Sequence, residues 1–172
     1  EDSLDAQQIE DVVSIIRDWE RPLEPQAEHQ VGPAEEAEIL NPEGEQAAFE
    51  LIEERYVSVA DLHRALDQGR RLVLLDARAT SDWARSHIPG AVSAPYYAID
   101  RQTSLVESLP QDGTWIIAYC ACPHAASGQV TDYLRGRGFE HTAALHEGVG
   151  YWEEQGFPLE SAGAEDDGEE QD

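Results

Sequence analysis

Short apolar runs alternate with helical patterns through the middle of the chain, from residue 56 to residue 155. Two of the runs, 72–75 and 115–119, contain no charged residue, which is typical of strands that are buried on both faces of a sheet. The pattern predicts strands at 56–57, 72–75, 91–92, 115–119 and 143–145, and helices at 59–66, 81–86, 99–109, 127–137 and 149–155. Strands that alternate with helices favour an α/β fold with a parallel sheet flanked by helices.

The N-terminal third of the chain has a different pattern. An amphipathic helix is predicted over residues 5–20, with an apolar face formed by Ile9, Val12, Val13, Ile16 and Trp19. A weaker apolar stripe predicts a second helix over 44–55. Segments rich in acid, Pro, Ala and Gly predict a linker and a disordered tail. The predicted organisation is an N-terminal helix (1–21), an acidic linker (22–45), a globular domain (46–159) and a disordered acidic tail (160–172).

The net charge of -25 is concentrated in the two ends of the chain. Residues 1–54 carry 17 acids and 2 arginines, residues 55–159 carry 12 acids and 9 arginines, and residues 160–172 carry 7 acids and no base. This distribution excludes a nucleic-acid partner, because no basic stripe is present to neutralise phosphates. No segment reaches the roughly 18 apolar residues of a membrane span. The absence of methionine, with Glu1 as first residue, leads us to expect a processed product or a fragment.

The candidate chemistry lies where the apolar run 115–119 ends in Cys120. A loop of small residues follows, and then a helical pattern begins at Ser127. The N–H groups of the loop and of the helix start are expected to face the sulfur at the open mouth of the loop and to favour its thiolate. Asp76 also ends a predicted strand. The carboxyl ends of parallel strands share one edge, so both residues are expected at the same site.

Three separated segments together resemble the rhodanese-like domain, a family of sulfurtransferases and related modules, over about residues 46–159. They are Leu75-Asp76-Ala-Arg78 with His87-Ile-Pro-Gly-Ala91, then Ile116-Ile-Ala-Tyr-Cys120, and last Gly138-Phe139 with Leu145-His-Glu-Gly148-Val-Gly-Tyr-Trp152 and Gly156-Phe-Pro158. The resemblance implies a five-stranded parallel sheet and a persulfide carried by Cys120. The residues that it places in the loop beside this cysteine are Ala121, Cys122, His124, Ala125, Ala126 and Ser127.

The loop departs from the family pattern at two positions. An arginine that binds anionic donors such as thiosulfate is replaced by Ala125, and a common glycine is replaced by Pro123, which has no N–H. His124 is the titratable group that remains, and an imidazole is cationic mainly at mildly acidic pH. Thiosulfate turnover by the usual route is therefore not expected. Asp76 and Arg78 are expected to support the loops beside the site, and His87 is expected to have a structural hydrogen-bonding role.

Cys122 has three interpretations. It could resolve a persulfide or disulfide on Cys120, or it could pack as a small apolar residue. Alternatively, Cys120, Cys122 and His124 could bind Cu(I) or Zn, with His146 approaching as a further ligand. Two cysteines one residue apart do not make a disulfide framework.

Residues 4–20 are similar to the last helix of class I c-type cytochromes, although a generic amphipathic helix accounts for the same pattern. No Cys-x-x-Cys-His motif is present, so no cofactor is expected in this chain, and haem only in a longer parent protein. The similarity implies an extracytoplasmic, periplasmic location and a cytochrome or redox partner.

The predicted function is a sulfur carrier or sulfurtransferase with Cys120 as nucleophile and a small sulfur donor and acceptor as its partners. Two alternatives stay open. One is a non-catalytic binding or regulatory module that keeps the fold, and the other is the soft-metal site.

Overall fold

A computed structural model of the chain describes residues 36–121 and 124–163. The predicted N-terminal helix, most of the predicted linker, Cys122, Pro123 and the end of the predicted tail lie outside these residues. Within the two ranges, every helix is too short or too polar to cross a membrane.

The strands and helices of the middle of the chain follow the predicted order. The strands are β1 (Ile39–Leu40), β2 (Tyr56–Val57), β3 (Leu72–Asp76), β4 (Val92–Ser93), β5 (Trp115–Tyr119) and β6 (Thr142–Leu145). The helices are α1 (Val59–Asp67), α2 (Thr80–Arg85), α3 (Thr103–Ser108), α4 (Ala125–Arg135) and α5 (Gly148–Glu154), with a 3-10 turn at Ile99–Arg101. Helix α1 begins where the Ser58 side chain accepts a hydrogen bond from the Asp61 N–H, as an N-cap does.

The sheet has the strand order β1-β3-β5-β6-β2, and β4 pairs with the end of β3. Strands β2 to β6 pair in parallel, which confirms the predicted α/β fold with a parallel sheet. Strand β1 adds a sixth, antiparallel strand beside the start of β3. In the parallel register Asp76 lies opposite both Ser93 and Tyr119, so the ends of β3, β4 and β5 form one edge.

Two apolar clusters cover the two faces of the sheet. Alternate residues of β3 enter opposite clusters, because successive strand side chains point to opposite faces. Leu74 belongs to the cluster of Leu62 and Trp152, whereas Leu75 belongs to the cluster of Val130. Both leucines are fully buried, and such burial stabilises the fold by about 1.5–3 kcal/mol per side chain.

The helix predicted over 44–55 is wrong. Gln46 forms a parallel bridge with Arg71, and Ala47 donates its N–H to the Arg71 carbonyl at 3.1 Å. The segment then turns at Glu53 and Glu54, which both have a positive φ. Pairing with the residues that lead into β3 satisfies the backbone in an extended form, and this pairing outweighs a weak helical stripe.

The predicted boundaries of the domain are also corrected. Ile39 and Leu40 form a strand of the sheet, so the predicted linker (22–45) contains part of the domain. At the other end, Glu160 exchanges two backbone hydrogen bonds of 2.8 Å with His87, and Ala162 donates its N–H to the Ala84 carbonyl at 3.0 Å, so these residues belong to the domain. Both segments escape detection in the sequence because their pairing partners are distant along the chain.

Candidate functional site

Cys120 lies at the junction of a strand and a helix. It follows the last residue of β5, and its side chain belongs to the apolar cluster of Ala118 and Val130. The Cys120 Sγ is 3.4 Å from the Oγ of Ser127, a buried residue in the first turn of α4. At this distance the hydroxyl can donate a hydrogen bond to a sulfur anion.

The burial of Cys120 contradicts one expectation from the sequence. The residue is 2% exposed, whereas a sulfur at the open mouth of the loop was expected. The cysteine continues the alternation of β5, and this alternation turns its side chain into the core. In this structure the residue therefore presents almost no surface to a donor.

Helix α4 starts beside this sulfur. His124 precedes the helix with φ 75°, and its carbonyl accepts the first helical hydrogen bond from the Gly128 N–H at 2.9 Å. The N–H groups of Ala125, Ala126 and Ser127 lie in the first turn, where the helix provides no carbonyl to accept from them, and they form the positive end of the helix dipole. An anion that replaces the thiol near Ser127 would therefore be stabilised by the helix.

Three rings, which we call the aromatic flank, contact one another where the loop meets α4: Tyr56, His124 and His146. The Tyr56 and His124 rings are stacked, with centroids 4.0 Å apart and an interplanar angle of 22°. The His124 Nε2 is 2.9 Å from the His146 carbonyl, and their ring centroids are 5.1 Å apart. A carbonyl only accepts, so Nε2 carries the proton and Nδ1 is the basic nitrogen of neutral His124.

The turn between β6 and α5 holds the backbone of Cys120. The Val149 N–H donates to the Cys120 carbonyl at 3.0 Å. Gly148 has φ 79°, and a Cβ at this position would lie 2.9 Å from the same carbonyl oxygen. Only glycine allows so close an approach with this backbone conformation.

A buried ion pair supports the sheet edge next to Cys120. Asp76 is fully buried and accepts hydrogen bonds from the Arg78 Nε at 3.0 and 3.1 Å. Burial lowers the pKa of Arg78, but the hydrogen bonds and charge of Asp76 outweigh this effect and raise the pKa overall. Arg78 also donates to the Ser86 carbonyl at 2.5 Å. The pair therefore ties the end of β3 to the segment that leads to His87.

Tyr119 joins this support from β5. Its hydroxyl accepts a hydrogen bond of 3.1 Å from the Ile88 N–H. Burial, followed by the negative charge of Asp76, raises the pKa of Tyr119 well above its ordinary value. The phenol therefore stays neutral. Its hydrogen bond fixes the 86–88 segment to Tyr119, which directly precedes Cys120.

His87 makes structural contacts. Its Nδ1–H donates to the Trp83 carbonyl at 2.7 Å, and its ring stacks on Trp83 with centroids 4.7 Å apart. Its Nε2 lies 3.2 Å from the Glu160 carboxylate. These partners hold the loop after α2 and the C-terminal segment together.

The predicted soft-metal set is only partly within the described ranges. Cys122 lies outside them, as does Pro123. Among the residues that the structure describes, no three His, Cys, Asp or Glu side chains meet to hold a metal ion. Ala121 and Ala125 are exposed on either side of this gap.

Sequence reasoning missed Tyr56, Tyr119 and Glu160 as parts of the site and its support. Tyr56 lies far from the loop in the chain, and only the pairing of β2 with β6 brings it to His124. Tyr119 was predicted only as the last residue of the strand 115–119, and the signal that could have identified its role is its place directly before Cys120. Glu160 was assigned to a disordered tail because of its acidic neighbours.

Comparison with known proteins is consistent with this geometry. The sequence model of the rhodanese-like domain matches residues 58–155. The probable adenylyltransferase/sulfurtransferase MoeZ of Mycobacterium tuberculosis is 31% identical over 102 residues, which cover 59% of this chain and 25% of that protein. The match thus spans about a quarter of the length of this relative.

Solved structures show the same fold. A rhodanese-like domain from Anabaena sp is 28% identical with a TM-score of 0.55, and the match covers 68% of this chain and 87% of that domain. A Bacillus halodurans protein, 24% identical, aligns with a TM-score of 0.58 over 63% of this chain and 78% of its own. Since the family match extends over more than half of the sequence and coincides with the parallel sheet and its edge cysteine, the chain belongs to the rhodanese-like domain family.

Proposed function

We propose that the chain is a sulfur carrier or sulfurtransferase that forms a persulfide on Cys120. The observation that carries the proposal is the 3.4 Å contact between the Cys120 Sγ and the Ser127 Oγ, at the start of α4. Family membership and the sulfurtransferase name of the relative support sulfur transfer as the kind of chemistry.

The proposed reaction conserves atoms and electrons. The Cys120 thiolate attacks the sulfane sulfur of a donor, and a new S–S bond forms as the bond between that sulfur and the leaving group breaks. The leaving group departs with the electron pair and takes a proton from solvent. An acceptor thiolate then attacks the outer sulfur of the persulfide and restores the Cys120 thiolate.

The surrounding residues have distinct roles in this proposal. The Ser127 hydroxyl and the leading N–H groups of α4 stabilise the thiolate and the persulfide anion. Asp76, Arg78 and His87 hold the neighbouring loops. The His124 ring is held in place by its contact with the His146 carbonyl, and Cys122 could resolve the persulfide.

Mass spectrometry of the intact chain after exposure to sulfur donors tests the proposal. Wild type is expected to gain the mass of one sulfur atom, and Cys120→Ser is expected to gain none. Cys122→Ser is the matched control, since it removes a thiol two residues away, and it should retain the gain. A gain of one sulfur that persists in Cys120→Ser would refute the proposal.

The 2% exposure of Cys120 favours a second candidate, a non-catalytic binding or regulatory module. Under this alternative no donor adds sulfur to the folded chain, and Cys120→Ser binds the same partner as wild type. The mass measurement separates the two candidates directly.

A redox partner is a further part of the proposal and depends on the similarity of residues 4–20 to a cytochrome helix. The sequence encoded upstream of Glu1 tests it. A Cys-x-x-Cys-His motif there would support coupling of sulfur chemistry to electron transfer, and its absence would end that idea.

A further inference from the structure

We propose that a depression between α1 and the C-terminal end of the domain binds an arginine side chain of a protein partner. We call it the α1 depression, and its lining residues are His63, Leu66, Asp67, Pro89, Trp152 and Pro158. Leu66 and Trp152 belong to one apolar cluster and Cys120 belongs to the other, so the depression and the cysteine lie on opposite faces of the sheet. The site is therefore separate from the sulfur chemistry of the proposed function.

The α1 depression has the size of one side chain. Its volume is about 240 Å³, whereas pockets for cofactors and drug-sized ligands usually have about 300–1,000 Å³. Trp152 is fully buried beneath it, and the indole N–H already donates to the Pro158 carbonyl at 2.9 Å. Leu66, Pro89 and Pro158 add apolar surface around it. An occupant therefore needs an apolar stem.

Asp67 supplies the depression with an unpaired negative charge. It is exposed and is the last residue of α1, where the negative end of the helix dipole gives a carboxylate no stabilisation. Among the residues that the structure describes, every other aspartate forms an ion pair: Asp61 with Arg64, Asp76 with Arg78, Asp82 with Arg85, Asp100 with Arg101, Asp112 with Arg71 and Asp132 with Arg55. A cation in the depression would meet both the Asp67 carboxylate and the negative end of the helix.

The described part of the chain provides no cation for Asp67. The sequence contains no lysine, and nine arginines lie within residues 36–121 and 124–163. Six of them serve the other aspartates, and the remaining three have partners of their own: Arg70 pairs with Glu45, Arg135 donates to the Thr142 and Glu54 carbonyls, and Arg137 lies over the Tyr133 ring. With 20 acids in residues 36–163, the domain attracts a basic partner that can supply the missing cation.

The placement of His63 and Asp67 favours a guanidinium over an ammonium. The two residues are four positions apart on α1, so their side chains lie on one face with Cβ atoms about 5–6 Å apart. Phe157 stacks on the His63 ring, with centroids 3.7 Å apart and an interplanar angle of 11°, and holds the ring in place. A guanidinium is planar, donates two parallel hydrogen bonds to a carboxylate and stacks on rings. The aliphatic stem of an arginine can then cover Leu66 and the two prolines.

An NMR titration of the full chain at about pH 7.5, where an imidazole is ordinarily mostly neutral, tests the proposal. The probe is Nα-acetylarginine amide, and the readout is the shift of the amides of residues 63–67 and of the Trp152 indole N–H. Three further probes separate the possible ligands: the citrulline analogue, which has a similar shape without the charge, the lysine analogue, and free arginine. Asp67→Asn removes the carboxylate. Asp100→Asn is the matched control, because it makes the same change at an exposed position in the 3-10 turn.

For wild type, we expect saturable shifts in the α1 depression with a Kd of about 1 mM, as one side chain allows. The citrulline analogue should bind about 10-fold more weakly, because a hydrogen bond to a charged group is lost, and the lysine analogue about 3-fold more weakly. Asp67→Asn should weaken the arginine probe about 10-fold, whereas Asp100→Asn should change its Kd by less than about 2-fold. Free arginine should bind no more tightly than the blocked probe.

Equal binding of the arginine probe to wild type and Asp67→Asn would overturn the proposal, as would equal binding of the arginine and citrulline probes. Shifts that spread over the acidic surface without saturation would overturn it too. Lysine binding at least as tight as arginine binding would assign the site to an ammonium, and tighter binding of free arginine would assign it to a small metabolite, so either result contradicts the proposal. Sulfur loading on Cys120 is a separate measurement, and these outcomes leave the proposed function intact.

Discussion

Replacement of Gly148 by alanine tests whether the turn between β6 and α5 holds Cys120 in place. Gly148 has φ 79°, and a Cβ there would lie 2.9 Å from the Cys120 carbonyl oxygen and 3.3 Å from that of Ala121. Both contacts are with the backbone, so no side-chain rotation can relieve them. The turn or the start of the loop must move.

The structure allows the cost to be estimated. An alanine in the left-handed region costs about 1–2 kcal/mol. Displacing the Cys120 carbonyl also weakens the 3.0 Å hydrogen bond from the Val149 N–H, which contributes about 1 kcal/mol. Gly148→Ala should therefore lower the free energy of unfolding by about 2–3 kcal/mol.

Gly156 is a matched control at the other end of α5. Its φ is 73°, and no atom lies within 4 Å of the position that a Cβ would occupy. Gly156→Ala should then cost only the backbone term of about 1–2 kcal/mol. Urea unfolding followed by circular dichroism measures both values, and sulfur loading on Cys120 should slow in Gly148→Ala alone. Equal destabilisation and equal loading in the two variants would refute the role that we assign to the turn.

Three further predictions concern the neighbours of the site. Ser127→Ala should slow sulfur loading about 10-fold, because a hydrogen bond to a charged group is lost, and an unchanged loading rate would contradict this role. Tyr119→Phe should cost about 1–3 kcal/mol, because the buried N–H of Ile88 loses its acceptor. The raised pKa of Tyr119 also means that wild type keeps this stability below about pH 10 and loses it as the pH rises further. In thermal unfolding, Tyr119→Phe should therefore lose less stability than wild type when the pH is made alkaline. Glu160→Ala should speed hydrogen exchange of the Gly90 amide about 5-fold, because the 2.8 Å hydrogen bond from this N–H loses its acceptor. Glu160→Gln keeps an acceptor and should preserve the protection. Equal exchange in both variants would contradict the contact.

The core of the fold was predictable from local patterns. Leu74 and Leu75 are adjacent in an uncharged run, and a strand buried on both faces is the simplest structure that removes both from water. Helices α1 and α4 carry apolar stripes that need only this sheet to cover them. Such patterns depend on residues close together in the chain, so they can be read without knowledge of the topology.

Long-range pairing could not be predicted in the same way. The 44–55 segment has apolar residues at helical spacing, but its Gln46 pairs with Arg71 and its Ala47 is buried. Strand β1 has only two residues, Ile39 and Leu40, within an acidic stretch. In each case the segment is stabilised by hydrogen bonds to residues about 25–35 positions away in the chain, and the composition of the segment does not show this pairing.

In the candidate site, too, local features could be predicted from the sequence and long-range contacts could not. The position of Cys120 at a strand end is a local property, and the sequence indicated it. The stacking of Tyr56 on His124 depends on the order of strands in the sheet. Cys120 is buried because apolar clusters cover both faces of the sheet at β5, whereas the small residues after it suggested an exposed sulfur.

The burial of Cys120 does not by itself decide between a carrier and a binding module. If a local opening that exposes Cys120 costs about 3 kcal/mol, roughly one molecule in 150 is open at any time, and a donor reaction slows by that factor without stopping. The burial of Cys120 would then shield a persulfide from water and from unrelated thiols. Alkylation of Cys120 distinguishes the two cases, because local opening gives a labelling rate that does not follow global stability. If labelling instead slows in step with the free energy of unfolding across variants far from the loop, the sulfur is exposed only on unfolding. In that case the binding module is the better description.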